Sequence, residues 1–214
     1  MKIFLDTANY REISDRYCTG LVDGITTNPT LVKKSGANYF DFIRTLSRDF
    51  AFESISAEVD GQDADEMIEN AQQYIKLGSE VTIKLPLTQE GLIACKILSD
   101  EGVKTNVTLC FSAAQAVMTA KAGATYISPF VGRMNDNSLS GVELVRAISG
   151  LYCAQGVKTK ILAASLRDVH HVSRCLMYGA GVVTLPTKVF DKMYNHVLTD
   201  AGLAIFEEDF KNIT

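Results

Sequence analysis

Eight short β-forming runs, each followed by a stretch of helical character, divide this chain along nearly all its length. They are KIFLD (2–6), LVDGITT (21–27), SISAE (54–58), VTIKL (81–85), VKTNVT (103–108), TYISPF (125–130), TKILAAS (159–165) and GVVTLP (181–186). Between them, DADEMIENAQQYIKLG (63–78) spaces Met67, Ile68, Ala71 and Ile75 along one helical face and stops at Gly78. TQEGLIACKILSDEG (88–102) and SAAQAVMTAKAG (112–123) start at Thr88 and Ser112 as caps and end at glycines. Strand alternating with helix calls for parallel pairing through right-handed crossovers, and eight such units close an α/β fold into a single (β/α)8 TIM barrel. A doubly wound open sheet is the competing arrangement. It wants a glycine-rich phosphate loop after the first strand, where this chain has DTANYREI, with no glycine.

No Pro/Gly/Ser linker splits the 214 residues, and a 47% hydrophobic content suffices for one sizeable core. Residues 1–195 are expected to form the barrel that carries the site, and 196–214 an extra C-terminal helical tail. In that tail Val197, Leu198, Ala201, Ala204 and Ile205 make an apolar stripe the barrel does not require. It could lie on its own barrel or be taken by a neighbouring subunit, and a homo-oligomer stabilised by the tail is the expectation. The net charge of −4, with 21 basic residues spread among 25 acidic ones, argues against nucleic acid. Five dispersed cysteines without a CxxC pair read as reduced thiols of a cytoplasmic protein, not a disulfide or zinc framework. An aspartate at position 6 precedes any signal-peptide core, and no apolar run is long enough to span a membrane.

One strand carries an unexpected charge. In VTIKLPLT, alternation puts Lys84 on the face of Thr82 and Pro86, opposite Val81, Ile83 and Leu85. A lone strand lysine is commonly a solvated edge residue or a snorkelling chain. If both faces are covered, as parallel sheets require, the low-dielectric setting favours a neutral, nucleophilic amine.

Barrel sites lie at the C-terminal strand ends, and polar residues collect there. Asp6 ends the first strand, Thr26 and Asn28 the second and Glu58 the third; Asn106 and Thr108 lie on the fifth, Ser128 on the sixth and Ser165 on the seventh. Singly, each could be a helix cap, LDTAN above all. Together with Lys84 they suit Schiff-base chemistry: Glu58 and Thr108 to hold and move the water lost on imine formation, and Asp6 to handle a substrate hydroxyl proton. Asn28, Asn106 and Ser128 suit small hydroxyls, while Arg133, Ser165 and Arg167 suit a phosphate. A surface salt bridge is the plainer role for either arginine. His170–His171 reads as a solvated pair without a ligating carboxylate beside it, GRMNDNSLSG (132–141) as a polar loop, and SGAN (35–38) as a loop. Neither a metal nor a cofactor is called for.

The ordered motifs LDTAN, GITTNPTL, AEVDG, VTIKLPLT, TNVTLCFSAAQA, ISPFVGR and ILAASLR resemble the transaldolase family, in particular its short branch that includes fructose-6-phosphate aldolases. The resemblance covers nearly the whole chain. It implies a class I enzyme of carbohydrate metabolism that moves a dihydroxyacetone unit between sugar phosphates of the pentose phosphate type, with Lys84 forming the imine. Short members are often pentamers or paired pentamers (decamers) with an exchanged C-terminal helix. Aldolases of this branch tend to carry glutamine in place of Glu58 and tyrosine in place of Phe130. A glutamate moves protons where a glutamine does not, and a phenylalanine has no phenol to protonate the enamine, so both positions favour transfer over release.

Overall fold

A computed structural model describes residues 1–36 and 38–213. Its eight strands are β1 (Lys2–Asp6), β2 (Gly24–Thr26), β3 (Ser54–Glu58), β4 (Val81–Pro86), β5 (Thr105–Cys110), β6 (Tyr126–Pro129), β7 (Lys160–Ala163) and β8 (Val182–Leu185). All pair in parallel in sequence order, and β8 pairs with β1, closing the barrel. The helices among the described residues are α1 (Tyr10–Tyr17), α2 (Pro29–Ser35), α3 (Tyr39–Asp49), α4 (Ala64–Ile75), α5 (Gln89–Asp100), α6 (Ala113–Lys121), α7 (Val131–Asp136), α8 (Gly141–Gln155), α9 (Val169–Met177), α10 (Thr187–Lys192) and α11 (Val197–Ile213).

Local chemistry sets these boundaries. Asp63, Thr88 and Ser112 each accept a backbone N–H from the first turn of the helix that follows, satisfying one of its orphan donors. The outward strand residues, such as Leu5, Ile25, Ile55, Ile83, Leu85 and Val107, are fully buried beneath the helices in the main core. Inward residues behave differently on the two sides of the barrel. Phe4, Tyr126, Leu162, Ala164 and Val182 form a small apolar cluster inside. On the β3–β6 side the interior is polar and internally bonded: Ser54 with Thr82 at 2.8 Å, Asn106 Nδ2 with Ser56 at 3.4 Å, and the Ser128 hydroxyl donating to Asn106 Oδ1 at 2.7 Å. Gly24 makes room for the Phe4 ring, which would lie 2.7 Å from a Cβ at that position.

The polar run at 132–141, expected to be a loop, begins with the short helix α7. Its first-turn N–H groups are satisfied from outside, Val131 donating to the Ala164 carbonyl and Gly132 to that of Ser165, each at 3.0 Å. That tertiary pairing, invisible to hydrophobic periodicity, holds the turn in helical form. In SGAN, Gly36 takes the left-handed conformation that ends α2, and Ala37 lies outside the described residues. No described residue of α11 is buried, and its apolar side chains Val197, Leu198, Ile205 and Phe206 are exposed. A shallow concavity of about 720 Å³ lies between α5 and α6, lined by residues including Leu92, Ile93, Ile97 and Met118, away from the strand ends. No described helix is long and apolar enough to cross a membrane.

Candidate active site

Glu58 and Lys84 are register partners on β3 and β4, so their side chains leave adjacent strands at one height. Lys84 is 8% exposed. Its Nζ donates to Glu58 Oε2 at 2.7 Å and to the Thr27 carbonyl at 3.3 Å. The strand lysine is thus neither an edge residue nor a snorkelling one. Glu58 is itself anchored, its backbone N–H donating to the Tyr39 hydroxyl of α3 at 2.7 Å. Burial pushes the Tyr39 phenol above its ordinary range, so it keeps its proton.

Asp6 completes a second arm. Thr26 Oγ1 donates to Asp6 Oδ1 at 2.9 Å and lies 2.7 Å from Thr184 Oγ1. Since the Thr26 proton is committed to Asp6, the Thr184 hydroxyl donates to Thr26. Burial raises the Asp6 carboxyl above the usual carboxylate range and nearby Glu58 adds to the rise, while the Thr26 bond and the charge of Lys84 pull it back. Asp6 is also free of capping duty, because Asn9 caps α1.

The opposite wall comes from β5 and β6. Asn106 and Ser128 are bonded to each other, and Thr108 is buried with no hydrogen-bond partner for its hydroxyl among the described residues. A shift of register between Val107 and Cys110 bulges the end of β5, and there Leu109 adopts a left-handed φ of 65°. Such strain in a non-glycine residue gathers at functional rims. Asn28 both caps α2, accepting from Leu31 N–H at 3.0 Å, and lines the cavity.

Two adjoining chambers of about 450 and 160 Å³ share Asp6, Asn28, Lys84, Thr108, Phe130 and Arg133. Glu58 borders the larger; Thr26, Asn106, Ser128, Ser165 and Thr184 border the smaller. The Arg133 guanidinium lies over the Phe130 ring, 5.0 Å from its centre. Ser165 is held at a left-handed φ of 58°, and a Cβ on Gly132 would come 2.1 Å from its carbonyl oxygen, so only glycine lets α7 seat against it.

Eleven of the twelve residues singled out in the sequence therefore converge on this cavity. Arg167 stands apart, half exposed and paired with the Asp136 carboxylate, which is the plainer surface pairing. His171 Nδ1 lies 2.7 Å from Asp168 Oδ2, correcting the expectation that no carboxylate flanks the histidine pair; Asp168 is the cap of α9. No cluster of three or more metal-ligating side chains occurs among the described residues. Two site side chains escaped the sequence. Thr184 shares the inward parity of Val182 on β8, a signal available once β8 is paired with β1. Tyr39 comes from a helix, where strand parity says nothing.

Known proteins match nearly the whole of this chain. The family model Transaldolase/Fructose-6-phosphate aldolase matches residues 3–214. A probable transaldolase of Caulobacter vibrioides (strain NA1000 / CB15N) is 49% identical over 98% of this chain and 96% of its own. Probable transaldolases of Methanococcus vannielii and Lactiplantibacillus plantarum are each 47% identical, over 98% and 99% of this chain and 97% of their own lengths. The chain belongs to the transaldolase/fructose-6-phosphate aldolase family.

Proposed function

We propose that the protein is a transaldolase working through a Schiff base on Lys84, converting sedoheptulose 7-phosphate and glyceraldehyde 3-phosphate to erythrose 4-phosphate and fructose 6-phosphate, and the reverse. The observation that carries this reading is the Lys84 amine, buried in the rim cavity and held between the Glu58 carboxylate and the Thr27 carbonyl. With fructose 6-phosphate as donor, Lys84 passes its proton to Glu58 and attacks the C2 carbonyl. Glu58 and Thr108 assist loss of water from the carbinolamine, leaving the protonated imine. Ionised Asp6 takes the C4 hydroxyl proton, the C3–C4 bond breaks, and its electron pair passes into the imine to give the enamine as glyceraldehyde 3-phosphate departs. The enamine then adds to the aldehyde of erythrose 4-phosphate, Asp6 returns the proton to the new hydroxyl, and hydrolysis releases sedoheptulose 7-phosphate. Asn28, Asn106 and Ser128 hold the sugar hydroxyls, and Arg133, Ser165 and Arg167 the phosphate. Phe130 offers the waiting enamine no acidic proton, which favours transfer over release of free dihydroxyacetone.

Incubation with fructose 6-phosphate should yield sedoheptulose 7-phosphate when erythrose 4-phosphate is added, and little free dihydroxyacetone when it is not. Dihydroxyacetone accumulating without acceptor would instead identify an aldolase. Absence of a borohydride-trapped adduct on Lys84 would point to a sugar-phosphate barrel that works without covalent chemistry. The five free cysteines suit a reducing cytoplasm. We further propose a homo-oligomer, pentameric or decameric, joined through α11, on which Leu198, Ile205, Phe206 and Phe210 are exposed. Truncation after Tyr194 should reduce the mass seen by light scattering to that of a smaller species, and an unchanged mass would remove this assembly mode.

A further inference from the structure

Arg167 lines neither chamber, although Arg133 and Ser165 do. Both of its terminal nitrogens rest on Asp136, with Nη2 to Oδ2 at 2.5 Å. Asp136 is presented from α7, one turn beyond Arg133, and α7 is docked. The Gly132 N–H meets the Ser165 carbonyl, and Asn135 Nδ2 lies 3.4 Å from His171 Nε2. The carboxylate that occupies Arg167 is therefore held at the edge of the same corner that carries Arg133 and Ser165.

We propose that Asp136 competes with the substrate phosphate for Arg167, so that each sugar phosphate must displace it and is held less tightly than three unopposed groups would hold it. This rests on the phosphate role given above to Arg133, Ser165 and Arg167. The guanidinium fork matches a carboxylate and a phosphate equally well in shape. A phosphate dianion brings more charge and more acceptor oxygens, so the exchange runs in its favour. The resident pair is solvated, with side chains 55% and 46% exposed, so displacing it costs little. Moderate affinity suits transfer, because one phosphorylated aldehyde must leave and another enter the same site in every cycle.

Titration calorimetry with inorganic phosphate tests this on the full chain, comparing wild type, Asp136→Asn, Arg167→Gln and the double variant. Asp136→Asn should bind phosphate about two- to fivefold more tightly, the scale of a solvated ion pair. In the Arg167→Gln background the same change should bring no gain, which separates competition for Arg167 from a general loss of negative charge. The KM for fructose 6-phosphate should fall in Asp136→Asn, while the concentration of dihydroxyacetone, which has no phosphate, needed for half-maximal borohydride trapping stays put. Equal or weaker phosphate binding by Asp136→Asn would overturn the proposal, the weaker result making Asp136 a support for Arg167. Phosphate binding by none of the four proteins would overturn it together with the phosphate corner. Borohydride trapping of dihydroxyacetone reads the Lys84 chemistry separately: tighter phosphate binding with no trapped adduct would sink the transaldolase reading and leave the competition standing.

Discussion

Each mouth of the barrel holds a lysine against carboxylate, and the two ends of β3 bring one carboxylate to each. At the C-terminal mouth Lys84 meets Glu58, the last residue of β3, at 2.7 Å. At the N-terminal mouth Lys2 meets Glu53, the residue just before β3, at 2.9 Å, and Asp23 at 3.0 Å, with Lys160 at 3.7 Å from Glu53. The contact distances are alike and the settings differ. The Lys84 side chain is 10% exposed and that of Lys2 42%. Around Lys84 stand the half-buried Asp6 carboxyl, a Thr108 hydroxyl with no partner among the described residues, and a cavity; around Lys2 stand further charges, which satisfy one another in water. An ion pair acquires chemistry from desolvation and from what else converges on it.

The sharpest break in that comparison is Lys84→Met. It should abolish the borohydride-trapped adduct and lower turnover by at least about 10⁴-fold, since no other amine can take over the covalent step. Mass spectrometry of trapped protein would check this, and an adduct surviving in the variant would place the imine on another lysine.

Asp6→Asn comes next, with opposite effects on rate and stability. Because burial raises the Asp6 pKa in the folded protein, the fold binds that proton more tightly than the unfolded chain does. Stability therefore declines as pH rises from the ordinary carboxylate value through the raised one, where the buried group must ionise. The asparagine variant escapes that loss and should melt higher than wild type near pH 7, while turnover drops by about 10²- to 10⁴-fold with the proposed proton acceptor gone. In wild type the acid limb of the rate profile should lie above the ordinary carboxylate range. A variant less stable at pH 7 and more stable in acid would reverse the sign.

How much of this could be read in advance depends on which interaction places each residue. Period-2 alternation carries Ser54, Ser56 and Glu58, or Asn106 and Thr108, to one face with no knowledge of the partner strand, so the barrel and most of its rim were legible. Three features were not. The helical state of α7 depends on carbonyls of Ala164 and Ser165, more than thirty residues away. Tyr39 reaches Glu58 from a helix whose polar residues carry no strand parity. The partner of Arg167 is a choice between anions, and the sequence supplies the fork without saying which anion holds it.

The α7 seat gives a smaller, structural break on the catalytic side. A methyl at Gly132 would have to sit 2.1 Å from the Ser165 carbonyl oxygen, so Gly132→Ala must push α7 outward or twist Ser165 from its left-handed backbone. We expect a cost of about 1–3 kcal/mol, as for other overpacked positions. The KM for fructose 6-phosphate should rise as Arg133 and Ser165 lose their common corner, while borohydride trapping of dihydroxyacetone persists. Denaturant melts, with fructose 6-phosphate kinetics set beside dihydroxyacetone trapping, would show it; equal losses in both would mean that α7 supports the whole rim.

At the other mouth, Lys2→Met should leave turnover unchanged. Hydrogen bonds to Glu53 and Asp23, with the charges of both, raise the Lys2 pKa beyond the usual lysine range. Its stabilising contribution is therefore complete below the unfolded value, about 10.4, and lost only as pH rises through the still higher folded one, so this lysine imposes no slope near neutrality. Glu53 behaves in the opposite sense: Lys2 lowers its pKa, and its contribution fades as pH falls through the lowered value. Wild-type melting temperature should accordingly fall with added salt and, below the ordinary glutamate range, with falling pH, and Lys2→Met should flatten both dependences because the cluster is open to solvent and screened by ions. A loss of turnover in this variant would mean that the N-terminal cluster sets the β1–β2–β3 register on which Asp6, Thr26 and Glu58 depend, and the two mouths would then be one coupled system.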